Sequence, residues 1–194
     1  SMTKVEMEIS DITLSGSSSG AYAMVLGEIN GERKLPIVIG GSEAQAIAIE
    51  IEKMKASRPL THDLFKSTME TFGVSVTEVM IYNMVEGVFF AKLICQGADT
   101  EEEIDCRPSD AVALAYRFGC PIYCAEEVLK LAGIGESEIQ QSNAEIEEPK
   151  EPKRKKREKS LSVLKSDLAK AIAREDYERA SKLRDEIEQR QENE

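Results

Sequence analysis

Three short stretches of the chain hold the residue types that phosphoryl chemistry uses. They are Ser42-Glu43-Ala44-Gln45, Arg58-Pro59-Leu60-Thr61-His62-Asp63 and Asp105-Cys106-Arg107-Pro108-Ser109-Asp110. Glu43, Asp63, Asp105 and Asp110 are oxygen ligands of the kind Mg²⁺ or Mn²⁺ takes. Carboxylates that gather such ions can activate water and relieve charge on a phosphoryl group. Arg58 and Arg107 carry the planar fork that matches a phosphate bidentately. His62 is the single histidine of the chain, so it is the one imidazole available to move a proton near neutral pH. The same residues also have a plain structural meaning. Ser42-x-x-Gln45 is a capping box, Thr61 with Asp63 is an N-cap followed by a first-turn acid, and Pro108-Ser109-Asp110 opens a helix with acid where the dipole favours it. Asp105 and Arg107 suit an internal ion pair as well as a substrate contact. Both meanings fit the sequence.

The elements that position these stretches follow from the hydrophobic pattern. Val5–Ile12, Tyr22–Ile29, Lys34–Ile39, Ser75–Asn83, Val88–Cys95 and Glu102–Cys106 are predicted strands, with Gly31 and Gly87 marking turns. Helices are predicted over about 42–55, 61–72, 108–118 and 125–132. The two halves repeat. Ser42-Glu43-Ala44-Gln45-Ala46-Ile47-Ala48 matches Ser109-Asp110-Ala111-Val112-Ala113-Leu114-Ala115, and Pro59-Leu60 matches Pro121-Ile122. The expected fold class is therefore α+β, a duplicated unit of three strands and two helices with antiparallel pairing. A pseudo-two-fold would bring matched helix starts together. The apolar strand from Val88 to Ile94 is expected inside the sheet.

Charge and composition divide the chain. Residues 1–140 hold 22 acidic against 11 basic residues and carry the whole net charge of −11. Such a body repels a polyanion except at a local basic patch or through a metal. Residues 139–159 are expected to be a charged flexible linker, acidic at first and then basic from Lys153 to Lys159. From residue 160 to 191 helical periodicity returns. Leu161, Leu164, Leu168, Ala171 and Ile172 form one apolar stripe; Tyr177, Ala180, Leu183, Arg184 and Ile187 trace a second, with Asp176 as N-cap between them. Two such arms make an αα-hairpin, and something is expected to cover its stripe. No apolar run is long enough for a membrane span. With one histidine a Cys/His zinc site is poorly supplied, and Cys95, Cys106, Cys120 and Cys124 read as free thiols in a reducing cytoplasm. No Trp is present, so a base-stacking platform is not expected.

Residues 1–138 resemble the bifunctional nuclease domain family. The resemblance is carried by Leu35-Pro36-Ile37-Val38-Ile39-Gly40, Glu43-Ala44-Gln45-Ala46-Ile47, Arg58-Pro59-Leu60-Thr61-His62-Asp63-Leu64 and Asp105-Cys106-Arg107-Pro108-Ser109-Asp110-Ala111. Residues 160–191 resemble the UVR motif, a protein-docking hairpin named from the UvrB and UvrC repair proteins. They do so through Leu164, Leu168, Ala171, Ile172, Glu175-Asp176-Tyr177-Glu178, Ala180, Leu183-Arg184-Asp185 and Ile187, with Ser181 where a second alanine is common. The resemblance implies a nuclease acting on RNA or DNA. His62, Asp63, Asp105 and Asp110 are then the expected catalytic residues, and Arg58, Arg107 and Ser109 the expected substrate contacts. Glu43, Asp63 and Asp110 are the expected ligands of Mg²⁺ or Mn²⁺. Leu164, Leu168, Tyr177, Leu183, Arg184 and Ile187 are the expected contacts to a protein partner, a repair subunit or a Clp-type ATPase. Self-association is expected from open sheet edges and the uncovered stripe. The competing expectation is a non-enzymatic oligomeric adaptor or ligand sensor docked through the same hairpin.

Overall fold

The computed structural model describes residues 2–15, 20–135 and 161–192. The chain divides into two units, Ser1–Pro149 and Lys150–Glu194. The predicted linker, with its basic run, lies outside the described residues.

Among the described residues of the first unit, mostly alternating or apolar segments and the glutamate-rich β6 form seven strands: β1 Lys4–Leu14, β2 Tyr22–Glu28, β3 Lys34–Ile39, β4 Ser75–Val85, β5 Val88–Gln96, β6 Glu101–Cys106 and β7 Ile122–Ala125. They make one sheet in the order β3-β2-β1-β7-β4-β5-β6. Two antiparallel three-stranded meanders thus run outward from β7. The tightest turn, between β4 and β5, has Glu86 and Gly87 both at positive φ, the backbone that a two-residue hairpin demands. β1 runs antiparallel to β7, and β4 runs parallel to it. The first strands of the two meanders therefore point opposite ways, as a two-fold through β7 requires, and the sequence repeat becomes a structural one. β5 lies between β4 and β6, inside the sheet as its apolar run predicts.

Among the described residues four helices accompany the strands: α1 Gly41–Ile51, α2 Thr61–Thr71, α3 Pro108–Phe118 and α4 Glu126–Ala132. α3 is the centre of the layer. Val112, Leu114 and the three alanines Ala111, Ala113 and Ala115 along it are buried with Ile47 of α1, Val79 and Ile81 of β4, and Leu93 of β5. Small residues on α1 and α3 let the two helices approach closely, and this contact brings their starts side by side. α3 closes on Gly119 at φ 67°, the left-handed cap that glycine adopts without a Cβ penalty. α2 differs from its neighbours. None of its residues is buried, and Leu64, Phe65 and the following Phe72 are exposed.

Three sequence expectations need correction. β7 is a strand that the sequence pattern does not announce: Ile122-Tyr123-Cys124-Ala125 abuts α4 with no turn between them, and four residues are too few to show a period. Ser42 is not the cap of α1, which begins at Gly41 after Gly40. Thr61 is likewise inside α2, whose cap is Leu60. In both cases the helix start takes its acid from the first turn rather than a hydroxyl at the cap.

The second unit holds α5 Leu161–Ala173 and α6 Tyr177–Glu192. Asp176 caps α6 as predicted, accepting a hydrogen bond from the Arg179 amide at 3.2 Å. The two apolar stripes cover each other in part. Leu164, Ala171, Ala180, Leu183 and Ile187 are buried in one cluster, with Leu161 and Leu168 packed on it. Leu164, Leu168, Leu183 and Ile187, expected to contact a partner, pack within the hairpin itself, whereas Ile172 of the same stripe remains exposed. Tyr177 and Arg184 stay exposed. A Leu183→Asp substitution places a charge in this small cluster at a cost of about 3 kcal/mol or more, beyond what a two-helix hairpin holds in reserve. Circular dichroism of the variant is expected to show loss of the hairpin's helical signal, with the thermal transition of the first unit unchanged.

Candidate active site

Three helix starts meet at one place. Glu43 lies in the first turn of α1, His62 and Asp63 in that of α2, and Arg107 and Asp110 at the cap and first turn of α3. Gly40 makes room for the first of these: the space its Cβ would take is filled by the Glu43 carboxylate. Pro108 at the first position of α3 fixes a helical φ where no amide partner is needed, and so aims Arg107 back across the α1 start.

Arg107 joins the helices. Its Nη1 donates to Glu43 Oε1 at 2.9 Å, its Nε to Asp110 Oδ2 at 2.8 Å, and its Nη2 to Asp110 Oδ1 at 3.0 Å. The same Asp110 Oδ1 is 3.2 Å from His62 Nε2. The result is a continuous chain, His62–Asp110–Arg107–Glu43, drawn from α2, α3 and α1. The Arg107 side chain remains 63 % exposed and His62 19 % exposed, so the chain faces solvent at its arginine and is sheltered at its imidazole.

Electrostatics follow the contacts. The Asp110 carboxyl is held far below the usual carboxylate range, first by the hydrogen bond from His62 and then by Arg107, against the opposing effect of burial. Glu43 is lowered by Arg107 and by its own backbone amide at the helix start. Asp63 is lowered by Arg117 and by the Leu60 amide. Each carboxyl has a lower pKa folded than unfolded. Each therefore adds stability that is fully present above the unfolded value and is lost as pH falls through the folded one. The thermal midpoint is expected to hold steady down to about pH 5 and then to fall steeply toward about pH 3. The Asp110→Asn variant should show a shallower acid limb in the same scan.

The predicted site residues separate into groups. Glu43, His62, Arg107 and Asp110 are brought together. Asp63 is turned away from them: its Oδ2 accepts from the Leu60 amide at 2.9 Å and its Oδ1 from Arg117 Nε at 2.8 Å. Asp105, on β6, accepts the Tyr82 hydroxyl at 2.9 Å, and that bond raises the pKa of Tyr82. It is not bonded to Arg107. Ser109 is buried in α3, so its side chain does not face a substrate in solvent. Arg58 is exposed in the segment that leads into α2.

The residues expected to hold Mg²⁺ or Mn²⁺ do not fit an ion as they are arranged. The positive charge between Glu43 and Asp110 is already that of Arg107, and Asp63 serves Arg117. Among the described residues no group of three or more His, Cys, Asp or Glu side chains is placed to share a metal. The cysteines stand outside this chemistry. All four are free, and burial pushes the Cys106 and Cys124 thiols up to about 12 and Cys120 up to about 11.

One member of the site was missed at the level of sequence. Arg117 anchors Asp63 from below, and its signal was a single charge in the otherwise apolar run Ala111–Phe118, seven residues and two helical turns after Asp110.

The stretch of sequence that builds this arrangement matches a known family. The bifunctional nuclease domain matches residues 24–137, and the chain belongs to that family. The match takes in every site residue named above. The UvrB/uvrC motif matches residues 158–192, the span of the hairpin. Among curated relatives, an uncharacterized protein of Mycobacterium tuberculosis is 48% identical over 111 residues, covering 57% of this chain and 66% of the relative. Bifunctional nuclease 1 of Oryza sativa subsp. japonica is 28% identical over 109 residues, covering 54% of this chain and 33% of the rice protein. The aligned part is thus just under two thirds of the mycobacterial protein and about one third of the rice one. Among the described residues no helix is long and apolar enough to cross a membrane.

Proposed function

We propose that the protein hydrolyses phosphodiester bonds of RNA or DNA at the convergence of the α1, α2 and α3 starts. The observation that carries this reading is the contact of the single histidine with Asp110, itself gripped by an exposed arginine. In the tautomer that donates Nε2–H to Asp110, Nδ1 of His62 carries the lone pair and can take a proton from water. Asp110, ionised at any working pH, orients the ring and stabilises the imidazolium that forms. Arg107 presents its guanidinium to a non-bridging phosphate oxygen and balances charge that builds there. The water oxygen bonds to phosphorus, the ester P–O bond breaks, and the proton held at Nδ1 passes to the departing oxygen. Family membership and the name of the rice relative support a nuclease.

Metal dependence belongs to this proposal as a question for the assay, since an ion would compete with Arg107 for Glu43 and Asp110. We further propose that the hairpin docks a protein partner through residues left outside its own cluster, Tyr177 and Arg184 among them. Self-association is supported by exposed Leu64, Phe65 and Phe72 and by the open edge of β6. Four free thiols fit a reducing cytoplasm.

The test is cleavage of end-labelled single-stranded RNA and double-stranded DNA by the full chain with Mg²⁺, with Mn²⁺ and with EDTA. Cutting in at least one arm is expected. Absence of cutting in every arm would overturn the enzymatic reading and leave the non-enzymatic adaptor, docked through the exposed residues of the hairpin, in its place.

A further inference from the structure

Arg117 is the most buried cation of the site, its side chain 2 % exposed. Each of its three nitrogens donates a hydrogen bond. Nε reaches Asp63 Oδ1 on α2 at 2.8 Å, Nη2 reaches the Ala46 carbonyl on α1 at 3.0 Å, and Nη1 returns to the Ala113 carbonyl of its own helix at 3.0 Å. One guanidinium thus ties together the three helices whose starts form the site. Its planar fork fixes direction as well as distance.

The tie matters most for α2. That helix buries none of its residues; Met69 packs part-buried on the core and Lys66 lies over the Phe118 ring, so the placement of its first turn falls to polar contacts. Its polar anchors to α3 are two adjacent side chains, Asp63 on Arg117 and His62 on Asp110. A shift of α2 that releases the first contact also moves the second.

We propose that Arg117 is a positioning residue: acting through Asp63, it sets α2 against α1 and α3 and thereby holds His62 against Asp110. It touches no substrate. Its effect on cleavage rests on the function proposed above; its effect on His62 does not.

The test uses the fact that the chain has one histidine, whose imidazole carbon-bound protons give an isolated NMR signal. In the wild-type background, Asp110→Asn is expected to displace that signal because it alters the group in contact with the ring. In the Asp63→Asn background, which keeps both carbonyl bonds of Arg117, the same change is expected to produce a displacement several-fold smaller. Arg117→Met is expected to do likewise. Should that variant fail to fold, Asp63→Asn alone decides. An equal displacement in both backgrounds would overturn the proposal. For cleavage, Asp63→Asn is expected to lower kcat by about 10- to 100-fold with KM nearly unchanged; a change confined to KM would also overturn it. A wild type that cuts nothing would refute the enzymatic reading while the NMR comparison still tests this one.

Discussion

Replacing His62 by glutamine is expected to slow phosphodiester cleavage by at least about a hundredfold, the lower end of what a positioned acid–base group contributes. Glutamine keeps a donor that can reach Asp110 and a volume near that of imidazole. It has no group that takes up a proton near neutral pH. The helix start should survive, because α2 retains the Asp63–Arg117 bond and the Leu60 amide contact. The loss should therefore appear in kcat, with binding of a short oligonucleotide little changed. No other histidine can substitute, since the sequence has none. Single-turnover rates on a labelled oligonucleotide, with thermal midpoints measured beside them, check this result. Equal rates for the two proteins would remove His62 from the chemistry.

The second large effect is expected at Arg107. Changing it to glutamine removes the guanidinium that balances Glu43 and Asp110 and that faces solvent at the site. Two losses coincide. The phosphate loses its charged partner, and two carboxylates are left to repel it. The expected fall in kcat/KM is about 10²- to 10³-fold, the cost of losing one charge-stabilising donor. Lysine should restore little, because one ammonium cannot span both carboxylates as the fork does. Folding stability should move by about 1 kcal/mol, since the arginine itself is largely exposed. A thermal scan beside the kinetics separates the two effects. A large loss of stability with unchanged kcat/KM would make Arg107 a structural residue only.

Much of the fold was legible because it rests on strong local signals. The three strands before α1 and the three before α3 alternate or run apolar, and their turns carry Gly31 and Gly87, so the two meanders follow from period and punctuation. The repeat of Ser42–Ala48 at Ser109–Ala115 announced that two helix starts would face each other, and the Arg107–Glu43 bond is that meeting. β7 was hidden because its four residues merge into α4, and because a strand lying between two meanders is a matter of topology rather than of local pattern. The caps were misplaced by one or two residues where a hydroxyl was preferred over a glycine or leucine that holds the same backbone geometry.

In the site, chemistry-bearing residue types were easier to find than their partners. Glu43, His62, Arg107 and Asp110 converge, yet Asp63 turns to a residue that was not singled out, and Asp105 turns to Tyr82. Which carboxylate an arginine takes depends on side-chain direction across helices, which spacing along one helix does not encode. The inner face of the hairpin is hidden from the sequence for a related reason. Each stripe taken alone looks uncovered, and only their antiparallel pairing shows that Leu164 and Leu183 meet in one cluster.

The most direct measurement is cleavage of a DNA oligonucleotide in ¹⁸O-labelled water, with the new terminal phosphates weighed by mass spectrometry. DNA has no 2′-hydroxyl to attack in place of water. Wild type is expected to place one labelled oxygen in the terminal phosphate released at each cut, with the His62→Gln protein leaving the strand essentially intact over the same interval. Label incorporated equally by both proteins, or an intact DNA strand with both where single-stranded RNA is also left uncut, would contradict a phosphodiester-cleaving site at the joined starts of α1, α2 and α3.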